Sequence, residues 1–181
     1  MKIVLTAFFS ILLFLGGASF VNAQAKLKLV PLKGNKIKLV YGTKTATVDL
    51  ESSVSGTTGA LPGEPPNVYK VLFTAEKDGF VYLVANIRSR SPISNKNAPC
   101  GGDSPQAILF VKTDELLKKT EVQSEIYESC SYNYYDSKVV LEKTQITIDY
   151  GTSREKKHLL YDNSHPEAGL WLGLKIVSGA K

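Results

Sequence analysis

The chain has 181 residues, with 22 lysines and arginines against 17 acids, two cysteines and 43% hydrophobic residues. A formal charge of +5 is far below the density of a nucleic-acid binder. A chain of this length buries on the order of two-thirds of its unfolded surface and needs no set of disulfide staples to fold.

Residues 1–23 have the layout of a secretory signal peptide: Lys2, then an apolar run from Ile3 to Leu15, then small residues, with Val21 and Ala23 at −3 and −1 of a cleavage site. The run is too short to cross ~30 Å of hydrocarbon comfortably, and no basic stop-transfer cluster follows it. The expectation is a protein secreted or delivered to the periplasm, with one domain over residues 24–181. The mature part then carries 21 basic and 17 acidic side chains, net +4. It contains no second apolar run long enough to span a membrane.

From Gln24 onward the dominant pattern has period two. Lys26-Leu27-Lys28-Leu29 and Lys36-Ile37-Lys38-Leu39 alternate cleanly around Gly34-Asn35, which predicts a hairpin with leucines on one face and lysines on the other. The lysines either attract an anionic surface or guard an edge strand. Thr45–Leu50 alternates next, and the proline-rich stretch 51–66 predicts a long loop. Val68–Ala75 and Phe80–Ile87 are the clearest strands, joined by a tight turn at Asp78-Gly79. Residues 80–85 are apolar on both faces, which requires cover above and below.

A second long loop spans 88–105 and contains Arg88, Arg90 and Cys100. Strands follow at Ala107–Lys112 and Val122–Cys130, with Thr113–Lys119 between them readable as one helical turn capped by Thr113. Lys138–Tyr150 reads as one long strand or two. Lys157–Tyr161 and Leu170–Val177 form a final pair in which Leu170, Leu172, Leu174 and Ile176 share one face and Trp171 points to the other. About nine short strands without a long amphipathic helix predict an all-β single domain, a mostly antiparallel sandwich in preference to a barrel.

One even pair of cysteines in an exported domain predicts a disulfide between Cys100 and Cys130. The chain-entropy model gives such a loop roughly 3.5 kcal/mol. Chemistry-bearing motifs are few. Ser153-Arg154-Glu155-Lys156 matches S-x-x-K as a string but lacks the partner motifs of penicillin-recognising enzymes. His158, Asp162 and His165 fit no zinc spacing, Asp162, Asn163 and Glu167 make no calcium loop, and Gly56–Gly59 lacks the lysine of a phosphate loop. No metal and no cofactor is expected.

The candidate ligand-binding residues are Tyr132, Asn133, Tyr134 and Tyr135, directly after Cys130, because flat stiff rings beside hydrogen-bonding groups suit sugar stacking or protein contact. The leading expectation is an exported, non-catalytic domain that recognises a glycan or a protein surface through these tyrosines and the 88–105 loop. One alternative is a hydrolase acting on an extracellular polymer, with acids such as Asp103, Asp136 and Asp162 at work. The other is a structural subunit of the cell envelope that holds partners by an exposed sheet edge.

Overall fold

A computed structural model describes residues 26–33, 35–50, 68–88, 105–130, 133–134 and 137–176. The segments 1–23, 51–66 and most of 88–105, with Cys100, Asp103, Tyr132, Tyr135 and Asp136, lie outside the described residues. The described chain is almost entirely β, with eleven strands in three antiparallel sheets.

The first sheet contains β1 (Lys28–Pro31), β2 (Lys36–Tyr41) and β3 (Lys44–Asp49). The second contains β4 (Val68–Lys77), β5 (Phe80–Arg88), β6 (Gln106–Asp114) and β7 (Thr120–Glu128). The third contains β8 (Lys138–Leu141), β9 (Gln145–Gly151), β10 (Glu155–Asp162) and β11 (Trp171–Ile176). Within each sheet every strand lies beside its sequence neighbour, so each is a simple meander. None of the three closes on itself among the described residues, so the architecture is layered and not a barrel.

Two cores place the layers. One gathers Ile37, Leu39 and Val48 of the first sheet with Val81, Leu83, Ala85, Ile87, Leu109, Val111 and Val122 of the second. The other gathers Tyr82, Val84, Ile108, Phe110 and Tyr127 of the second sheet with Ile146, Ile148, Tyr150, Leu159 and Tyr161 of the third. The second sheet is therefore the middle layer. Its β5 alternates Val81, Leu83, Ala85 towards one neighbour and Tyr82, Val84 towards the other, as the doubly apolar run requires. A bulge between Val71 and Phe73 lets consecutive residues Leu72 and Phe73 both join the second core. There Phe73, Tyr161 and Phe110 stack in series at 5.6 and 6.0 Å, binding the middle and third layers together.

The joins follow local chemistry. Asp78 and Gly79 both take positive φ, 53° and 77°, the pairing that closes a two-residue hairpin between β4 and β5. Lys138–Tyr150 is two strands, turned at Glu142–Gln145 where the Glu142 amide donates to the Gln145 carbonyl at 2.9 Å. The helical turn expected over 113–119 does not form. Thr113 stays in β6 opposite Thr120, and the Asp114 carboxylate accepts the amides of Lys118 and Lys119 at 2.6 and 3.1 Å. Leu117 takes φ 58° and turns into the first core, so burial of that one leucine outweighs the helical pattern.

Substitutions on the two faces of the middle sheet carry the same consequence. Leu83→Ala, facing the first sheet, is expected to lower unfolding free energy by about 2–5 kcal/mol, and Phe110→Ala, facing the third, by about 3–5 kcal/mol. Thr47→Ala on the exposed face of the first sheet should stay within ~0.5 kcal/mol. Urea titrations followed by circular dichroism measure all three.

Candidate functional site

With the middle sheet covered on both sides, recognition is left to the outer faces of the first and third sheets, to strand edges and to loops. The outer face of the first sheet carries Lys28, Lys36, Lys38, Thr45 and Thr47, all exposed, with Lys36 3.9 Å from Asp49. This is a solvated basic face.

The outer face of the third sheet is different. Its registers align two cross-strand rows. Lys138, Asp149, His158 and Gly173 form one, and Val140, Thr147, Leu160 and Trp171 form the next. The polar row is anchored by His158, whose Nδ1 lies 2.6 Å from Asp149 Oδ1. The apolar row ends at Trp171, which is 56% exposed although it sits in a strand. Its ring lies over Gly173: a Cβ at that position would come within 2.5 Å of Cη2 and 2.8 Å of Cζ3. The His158 ring meets the indole in a T-shaped contact at 6.1 Å. The lack of a side chain at Gly173 therefore leaves room for the indole on the backbone, and His158 flanks it. The arrangement is a supported aromatic surface bordered by an imidazole and a carboxylate.

The expected tyrosine site is only partly within the described residues. Tyr134 is half-buried. It pairs by two backbone hydrogen bonds with Ser129, at 2.9 and 3.1 Å, and its ring meets Tyr150 edge-on at 5.5 Å. Asn133 is exposed at φ 56°, its amide donating to the Cys130 carbonyl at 3.0 Å. Tyr132 and Tyr135 lie outside the described residues, as does Cys100; no free cysteine occurs among the described ones, and Cys130 is half-buried just beyond β7.

Tyr134 belongs to a polar tie between the middle and third sheets. Glu125 on β7, only 1% exposed, accepts from the Tyr150 hydroxyl at 2.6 Å and lies 3.9 Å from Lys157 Nζ. The ammonium sits 5.5 Å from the Tyr134 ring centre. Burial alone would lower the Lys157 pKa, but the Tyr134 hydroxyl and the Glu125 carboxylate outweigh it and the net shift is upward. Burial, then the Glu125 carboxylate, pushes the Tyr150 phenol well above its ordinary range. This tie joins two layers, and its charged groups are already matched to one another.

Of the residues considered for acid–base or metal chemistry, Asp162 and His165 are likewise engaged. Asp162 accepts the Ser164 amide at 2.8 Å and lies 3.3 Å from His165 Nδ1, and the Ser164 amide is the main cause of its lowered pKa. Among the described residues no group of three histidines, cysteines or acids is placed to hold a metal. A groove of about 200 Å³ lies where Lys26 and Leu27 meet Thr74, Ala75 and Glu76, with a single carboxylate in its wall. No helix among the described residues is long and apolar enough to cross a membrane. Comparison with protein-family models, with curated proteins and with solved structures finds no match.

Buried phenols give the fold a defined alkaline limit. Burial raises Tyr69 and Tyr127 to about 12, and Tyr150 is raised further. The unfolded chain loses these protons near pH ~10 while the folded one keeps them. Stability should therefore be unaffected by these groups below pH ~10 and fall as pH rises from ~10 through 12. Chemical denaturation at stepped pH, with tyrosinate absorbance in parallel, checks the slope; stability unchanged up to pH ~12 contradicts it.

Proposed function

We propose that this protein is an exported, non-catalytic binding domain that recognises a glycan on the outer face of its third sheet. The observation that carries the reading is Trp171, exposed on a regular strand with its ring lying over Gly173. One face of a pyranose ring is a row of C–H groups, and a flat, pre-positioned indole offers it apolar area at low entropic cost. The polar row of Lys138, Asp149 and His158 supplies donors and acceptors for the sugar hydroxyls alongside. The N-terminal segment 1–23 supports export. Glu125 is taken up by Tyr150 and Lys157, and Asp162 by its own turn, which supports recognition over hydrolysis by those two acids.

The tyrosine segment enters the same reading as a loop contribution. Asn133 is exposed, and Tyr134 anchors its stretch of chain to Tyr150. A disulfide from Cys130 to Cys100 would hold the second long loop beside it.

Trp171 is the only tryptophan in the sequence, so intrinsic fluorescence reports on this one surface. Titration with a panel of soluble oligosaccharides and pull-down on insoluble polysaccharides should find a glycan that shifts or quenches the emission. Trp171→Ala should weaken binding of that glycan by ~30-fold or more, as for an aromatic anchor worth ~2 kcal/mol, with the circular dichroism spectrum retained. A glycan bound equally well by the alanine variant, or none bound at all, rejects the reading.

A further inference from the structure

Among the described residues three open sheets leave six edge strands, and five of them carry features that discourage pairing with another chain. β1 holds Lys28 and Pro31, β3 holds Lys44 and Asp49, and β4 is bulged. β7 carries Glu121, and Glu128 next to a register shift, and β11 carries Lys175. β8 is short and opens with Lys138, but it differs in the run that follows. Val139, Val140 and Leu141 run without a charge, a proline or a bulge, and they are 46%, 39% and 51% exposed.

We propose that β8 is a self-recognition edge, through which two copies of this chain pair antiparallel about a two-fold axis at Val140. The hydrogen-bond phase of the strand supports this register. Glu142 donates its amide to Gln145, and the ladder then places Val140 opposite Thr147 and Lys138 opposite Asp149. In an antiparallel ladder alternate residues bond to the neighbour, so Lys138, Val140 and Glu142 use their backbone groups on β9. Val139 and Leu141 direct theirs to the open edge. A two-fold at Val140 sets Val139 of one copy against Leu141 of the other, so both outward-facing pairs bond across the junction.

The side chains agree with the backbone. Lys138-Val139-Val140-Leu141-Glu142 reads positive, three apolar, negative. Around Val140 it is complementary to itself, each Lys138 facing Glu142 of the other copy in a non-hydrogen-bonded pair, where Cα atoms approach to ~4.5 Å. Registers centred on Val139 or Leu141 also satisfy the backbone but oppose neither charge to its complement. The contact is isologous and joins two third sheets into one of eight strands. Four or five residues a side fall short of the ~1,200 Å² of a standard interface, so the dimer is weak and builds up only at high concentration or when the chains are held close together.

Sedimentation equilibrium of the purified protein from ~10 μM to ~1 mM should show mass rising towards the dimer. Lys138→Glu and Glu142→Lys should each weaken association ~10-fold or more, because each homodimer then contains two like-charge pairs. Mixing the two variants in equal amounts should restore it, since every charge in the mixed dimer again meets its opposite. Val139→Pro removes a backbone donor that β9 does not use and should abolish association while the circular dichroism spectrum is kept. A monomer throughout the concentration range, association indifferent to these substitutions, or a mixture that stays monomeric overturns the proposal.

Discussion

The two central strands of the middle sheet have no face to give to water. Along β5 and β6 every residue from Val81 to Ala85 and from Ala107 to Val111 is buried, with successive side chains entering opposite cores. Each buried aliphatic or aromatic side chain is worth ~1.5–3 kcal/mol only if water is excluded from it. A single covering layer would leave half of that surface wet. The first and third sheets are thus required by the second, and their inner faces are set by what they must cover.

The same constraint decides where the molecule can meet a partner. Inner faces are spent on the cores, and the tie of Glu125, Tyr150 and Lys157 is turned inward between layers. What remains among the described residues is the outer side of each covering sheet, the free edges and the loops. The first sheet presents lysines and threonines, which hydrate well and define no shape. The third presents an indole lying over a bare backbone position, next to a histidine held by a carboxylate. Its edge at β8 presents exposed valines and leucine with backbone groups pointing outward. Shape and directed polarity converge on that one layer.

Much of this was legible in the chain itself. Period-two alternation marked the strands because one face of each outer sheet is wet, and Asp78-Gly79 marked its hairpin because both positions need positive φ. The doubly apolar run at 80–85 signalled a strand covered on both sides. The number of layers was not legible, because alternation tells which face is buried and not what buries it. Leu117 misled the reading of 113–119, since its partners in the first core are remote in sequence. The contact of Tyr134 with Tyr150 was not legible, because Tyr150 is sixteen positions away on another strand. Trp171 was placed on the correct side of its strand, but the role of Gly173 depends on how the indole lies across its own strand, which no local pattern encodes.

Native-state hydrogen exchange tests the central claim most directly. If the doubly covered sheet organises the molecule, the amides of β5 and β6 exchange slowest and only through global unfolding, while β1, β8 and β11 open at lower free energy. Slowest exchange in the first or third sheet, with β5 and β6 opening before them, would contradict the account.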